Sequence, residues 1–160
     1  MGLSVYFLRH GQAGDSEDWQ GDDAKRPLTS DGKKRMQREA AGIKTLKLPL
    51  KLILSSPLTR AHQTAEIVAE SLGVPLVEDD RLAPGFGPPT LRAILHEHRS
   101  AGALMLVGHE PDFSDTVSRV TGGSRLPLKK GALAAVEFDD PDSVRGILLW
   151  LIPPKVLERL

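Results

Sequence analysis

Five short runs constrain this chain most: Leu3 to Leu8, Leu50 to Leu54, Ala103 to Val107, Ala132 to Phe138 and Arg145 to Ile152. Each has the length of a strand, and the first is rich in β-branched and aromatic side chains. Helical patterns fall between them. Thr29 or Ser30 can cap a helix on which Met36, Ala40, Ile43 and Leu46 recur at helical spacing. Ser56 is expected to cap a second helix, with Pro57 at its first position, Ala61, Ala65, Val68 and Leu72 as its buried stripe, and Gly73 as its end. Thr90 to Arg99 reads as a third helix, and a fourth follows Gly108-His109-Glu110-Pro111 and runs to about Val120. Strands alternating with helices predict an α/β layered fold. No repeat or low-complexity linker interrupts the pattern, and 160 residues suit a single domain over 1–160.

Composition removes several classes of function. The 21 basic and 21 acidic residues balance, so no global field draws the chain to nucleic acid or an anionic membrane. There is no cysteine, which excludes disulfides, thiolate chemistry and Cys-based zinc sites. The apolar start runs into Arg9-His10 rather than a small-residue cleavage site, and no run reaches membrane-spanning length. The expected setting is cytoplasmic.

In open α/β sheets, ligands sit beyond the carboxyl ends of the strands. That rule selects Leu8-Arg9-His10-Gly11, Ser55-Ser56-Pro57-Leu58-Thr59-Arg60 and Val107-Gly108-His109-Glu110-Pro111. Each delivers a guanidinium or an imidazole, and together these suit an oxyanion such as phosphate. Arginine forks bind phosphoryl oxygens through paired, charge-assisted hydrogen bonds. Arg60 also falls in a first helical turn, where the helix dipole favours an anion. Taken singly, each piece has an ordinary structural explanation; their recurrence at three strand ends does not.

These three motifs, with Ala61-His62-Gln63-Thr64-Ala65 after Arg60, resemble the histidine phosphatase superfamily, the group that contains phosphoglycerate mutases. Pro27-Leu28-Thr29-Ser30-Asp31-Gly32 and the Trp150-Leu151-Ile152-Pro153-Pro154 ending resemble its short SixA-type phosphohistidine phosphatase branch. The resemblance implies a three-layer sandwich, with a mostly parallel central sheet flanked by helices. It implies a metal-independent phosphatase that needs no cofactor. His10 would be the nucleophile, with its second ring nitrogen held by a carbonyl just downstream, that of Gly11. Arg9, Arg60 and His109 would bind the transferring phosphoryl group, and Gly11, Gln12 and Gly108 would contribute to substrate binding. Mutase-like relatives carry a glutamate as proton donor; the corresponding stretch here, Arg81-Leu82-Ala83-Pro84, has none. Glu110, directly after the second histidine, is the candidate general acid, with a role at the start of its helix as the alternative.

Three substrate expectations follow. The first is a phosphohistidine on a protein, because short loops leave the site open. The second is a small phosphate monoester. The third, a binding module without turnover, is disfavoured by an intact nucleophile. Other signals are read as structural. His96-Glu97-His98 lacks ligand spacing on a helix, His62 and Glu66 form a surface pair, and Gly32-Lys33-Lys34 lacks the rest of a phosphate-binding loop. Asp15, Glu17, Asp18, Asp22 and Asp23 form a solvated acidic loop, with a contact surface for a basic partner as the alternative.

Overall fold

The computed structural model describes residues 2–160. Its strands are β1 (Leu3–Arg9), β2 (Leu52–Ser55), β3 (Leu76–Glu78), β4 (Ala103–Gly108), β5 (Leu133–Phe138) and β6 (Ile147–Ile152). Its helices are α1 (Ser30–Thr45), α2 (Thr59–Leu72), α3 (Pro88–Glu97), α4 (Asp112–Val120) and α5 (Pro154–Leu157). The strands form one sheet in the order β3-β2-β4-β1-β5-β6. β3, β2, β4 and β1 pair in parallel, and β5 runs antiparallel to both of its neighbours. No helix among the described residues is long and apolar enough to cross a membrane.

Val5–Leu8 of β1 and Ala103–Val107 of β4 are continuously buried because both faces of the sheet are covered. Val5 and Phe7 on β1 join Leu104 and Leu106 on β4 against Leu91, Ile94 and Phe113 of α3 and α4. Tyr6, Leu8, Met105 and Val107 point the other way, onto Met36, Ile43, Ala61 and Val68 of α1 and α2. The result is the three-layer α/β sandwich, with β1 and β4 at its centre.

Thr29 caps α1, its hydroxyl accepting from the Gly32 N–H at 2.9 Å, and Gly73 ends α2 in the left-handed region at φ 68°. The start of α2 departs from expectation. Its N-cap is Leu58, so Pro57 lies outside the helix, and the Ser56 hydroxyl accepts from the Leu58 N–H at 3.2 Å. β3, absent from the sequence expectations, has three partly exposed residues, too short a run to register as a periodic signal.

One buried group has no part in any expected chemistry. Glu39 on α1 is 2 % exposed and its Oε2 has no hydrogen-bond partner. It packs under Gly131, where φ is 83° and an added Cβ would lie 2.5 Å from both carboxyl oxygens. Burial pushes this carboxyl up to about 8 from its ordinary 4.5, with Glu158 adding to the rise and Arg35 and Arg38 opposing it. The folded chain therefore keeps a proton between about pH 4.5 and about pH 8 that the unfolded chain releases. Stability from this group falls as pH rises through that window and levels off above it. Glu39→Gln is expected to stabilise the fold at pH 8.5 by on the order of 2 to 4 kcal/mol and to change little at pH 4.5. Denaturant unfolding of both proteins at the two pH values checks this; an equal difference at both would contradict it.

Candidate active site

Backbone ladders carry the ends of β1 and β4 past the sheet together. The His10 N–H donates to the Gly108 carbonyl at 3.1 Å, and the Ser56 N–H donates to the Val107 carbonyl at 3.0 Å. From the other side, the Gly131 N–H donates to the carbonyls of Arg9 and His10, at 3.1 and 3.2 Å. His10 and His109 thus face each other with ring centroids 5.4 Å apart and planes tilted by 55°.

The His10 ring is 7 % exposed and its Nδ1 lies 2.7 Å from the Gly11 carbonyl. A carbonyl only accepts, so Nδ1 carries the proton and Nε2 presents a lone pair. Burial drives this imidazole down to about 3; the Gly11 bond opposes that shift, while His109, Arg60 and Arg9 add to it. The ring is neutral throughout the physiological range. Gly11 is itself held, its N–H donating to Thr64 Oγ1 at 3.0 Å while the Thr64 hydroxyl donates to the Arg60 carbonyl at 2.8 Å. One buried threonine on α2 therefore ties the peptide that orients His10 to the backbone of Arg60.

His109 is held from its far side. Its Nε2 lies 2.7 Å from Ser56 Oγ. The Ser56 hydroxyl hydrogen finds no other acceptor among the described residues, and with it donated to Nε2 the ring proton sits on Nδ1. Burial brings His109 down to about 4, with Arg60 and Arg9 pushing the same way and Asp112 opposing. Ser56, expected as a helix cap, orients an imidazole instead.

Arg60 is 7 % exposed and is aimed by the acidic loop. Its Nη1 donates to the Asp23 carbonyl at 3.0 Å and its Nη2 to the Asp23 carboxylate at 3.2 Å. Asp23 also accepts from Arg26 Nε at 2.9 Å, and Arg26 foremost, then Arg60, keeps this carboxyl below its usual value. The acidic loop is solvated as expected, and Asp23, with its side chain 56 % exposed, links it to Arg60. Arg9 Nη1 donates to the Leu128 carbonyl at 3.1 Å. The Arg9 Nε, Arg60 Nε and His109 Nδ1 are buried without a partner. Each such group costs about 1–3 kcal/mol when unsatisfied, and a tetrahedral oxyanion reaching all three would offset that cost.

Arg9, His10, Arg60 and His109 are therefore brought together, and the four other expected residues have different contacts. Gly11 spends both backbone groups on His10 and Thr64. Gly108 is a packing position, because an added Cβ would lie 2.6 Å from the Phe113 ring, which stacks edge-on with Phe7 and Phe86. Gln12 is exposed and lines a cleft with Gly11, Arg35, Met36, Glu39 and Lys130. Glu110 accepts from the Ser114 N–H at 2.7 Å with one oxygen and from the Ser114 hydroxyl at 2.6 Å with the other, the geometry of a helix start. The roles of Ser56, Thr64 and Asp23 escaped the sequence. Thr64, a polar residue inside the apolar stripe of α2, was the one detectable signal. Among the described residues, no group of three or more His, Cys, Asp or Glu stands where it could hold a metal ion.

Residues 5–87 match the family model of the histidine phosphatase superfamily (branch 1). The chain is 37 % identical to an uncharacterized protein of Picosynechococcus over 137 residues, 82 % of each chain. It is 28 % identical to the phosphohistidine phosphatase SixA of Escherichia coli, over 95 % of this chain and 94 % of that one. A solved structure of the protein histidine phosphatase SixA with tungstate superposes with a TM-score of 0.85 at 27 % identity, covering 96 % of this chain and 99 % of the other.

Proposed function

This chain belongs to the histidine phosphatase superfamily, and on that premise we propose that it removes the phosphoryl group from phosphohistidine on a protein, by way of His10 and without a metal. The observation that carries this reading is the 2.7 Å contact of His10 Nδ1 with the Gly11 carbonyl, which leaves a neutral, buried Nε2 as nucleophile. Nε2 attacks phosphorus, the bond from phosphorus to the substrate nitrogen breaks, and that nitrogen keeps the electron pair. Water then attacks the phosphorus on His10, the new bond breaks, its electron pair returns to Nε2, and orthophosphate leaves with the proton balance made up by solvent. Arg9, Arg60 and the Nδ1–H of His109 bind the equatorial oxygens, where a loose transition state gathers charge. The guanidinium groups supply the charge that a metal supplies elsewhere. A relative's complex with tungstate, a tetrahedral oxyanion, is consistent with this use of the site.

Substrate class follows from the proton donor. We assign Glu110 to the helix start, since Ser114 engages both of its oxygens. An alkoxide leaving group needs a proton as it departs; a substrate imidazole ring takes a proton from solvent on its other nitrogen near neutral pH, its ordinary pKa being about 6.5, and then leaves as neutral imidazole without a dedicated acid. General acid catalysis contributes about 100- to 10,000-fold, so a site without a dedicated acid should prefer phosphohistidine over alkyl phosphates by that order. The test compares kcat/KM for a phosphohistidine peptide, an aryl phosphate and an alkyl phosphate in the presence of a chelator. Equal use of the alkyl ester would favour the small-ester reading, and loss of all activity in chelator, restored by added metal, would end the metal-free one.

A further inference from the structure

The whole chain is electrically neutral, yet the cleft beside Arg9 is lined by Arg9, Arg35, Lys129, Lys130 and Lys155, with Pro153 and Pro154 completing its walls and no carboxylate among the lining residues. Arg35 is partly compensated, because its Nε lies 3.0 Å from Glu158. Lys129, Lys130 and Lys155 are exposed and enter none of the ion pairs found among the described residues. The loop that supplies Asp23 to Arg60 has mixed charge: Asp15, Asp18 and Arg26 line a cleft there with Trp19. The basic cleft adjoins the site through Arg9.

The basic rim is also rigidly placed. Lys129 and Lys130 stand on a turn closed by the Ala132 N–H to the Lys129 carbonyl at 2.8 Å, and Gly131 in that turn bonds to the backbone of Arg9 and His10. Lys155 lies on α5, whose Leu157 is fully buried against α1. Charges held at fixed positions next to a reacting group select partners by sign and orientation.

From this arrangement we infer that the cleft formed by Lys129, Lys130 and Lys155 seats an acidic segment adjoining the phosphorylated residue of the protein substrate. The inference rests on the protein-substrate reading above. The cleft is open and bordered by proline rings, which suits an extended peptide.

Two phosphohistidine peptides test it, one with glutamates flanking the phosphorylated residue and one with alanines. At low salt the wild type should favour the acidic peptide roughly tenfold in kcat/KM, in the range that charge steering supplies, and salt should erase the preference. K129E/K130E/K155E should lose or invert that ratio, and K129A/K130A/K155A should flatten it. Because the ratio is taken within each protein, general changes in activity cancel. A preference that persists in both variants overturns the proposal. Fluorescence anisotropy with an unphosphorylated glutamate-rich peptide separates the two readings. If neither phosphopeptide is hydrolysed but this peptide binds the wild type and not K129E/K130E/K155E, the cleft stands and the phosphohistidine reading falls. Equal binding to both proteins, or binding of inorganic tripolyphosphate with no binding of the acidic peptide, overturns the acidic-segment proposal.

Discussion

His10→Ala is expected to abolish turnover and, with it, the covalent intermediate. Rapid alkaline quench of the wild type during turnover should trap phosphate on His10 as a phosphoramidate, stable in base and lost in acid, the opposite of a serine ester. Removing a nucleophile from a hydrolase that depends on one costs on the order of a million-fold in kcat, and any residual rate should come only from phosphoryl binding by Arg9, Arg60 and His109. The substitution also removes an imidazole that burial holds neutral, and an unfolding curve will show whether the variant keeps its fold. A folded His10→Ala protein that turns over at the wild-type rate would end the covalent mechanism.

Arg60→Ala should lower kcat/KM by roughly 100- to 1000-fold, the loss that follows removal of one preorganised donor to a developing oxyanion. The structure sharpens the expectation. Asp23 occupies both terminal nitrogens of Arg60 while its buried Nε has no partner. The fork is therefore aimed before any anion arrives, and little reorganisation remains to be done in the reaction. Arg60→Lys should recover only part of the loss, since one ammonium cannot donate to Asp23 and to the phosphoryl oxygens in the planar geometry of a guanidinium. Arg99, whose guanidinium pairs with Asp142 on the exposed end of α3, is the control. Equal losses from Arg60→Ala and Arg99→Ala would show that Arg60 has no special place in the reaction.

Several parts of the site were legible in the one-dimensional pattern because their causes are local. The uninterrupted apolar runs of β1 and β4 follow from burial on both faces. The contact of His10 with the Gly11 carbonyl spans a single peptide, so the family resemblance could anticipate it. Arg60 lies in the first turn of α2 because a helix follows β2, even though that helix begins later than Ser56 and Pro57 suggested. Glu110 shows the reverse case. A carboxylate beside His109 is the same letter in the sequence whatever it contacts, and only the geometry shows that both Glu110 oxygens accept from Ser114.

The chain by itself determined the α/β class, the strands that matter and the four cationic or titratable residues at their ends, since these depend on periodicity and on what directly follows each apolar run. Tertiary structure alone decided how those residues are aimed. Ser56 reaches His109 across 53 positions, Thr64 reaches Gly11 across 53, and Asp23 reaches Arg60 across 37. It likewise decided that Glu39 would be buried under Gly131, and that Lys129, Lys130 and Lys155 would gather beside Arg9. Side-chain hydrogen bonds and electrostatic fields act through space, and the register that joins β1 to β4 and β5 sets which distant residues share that space.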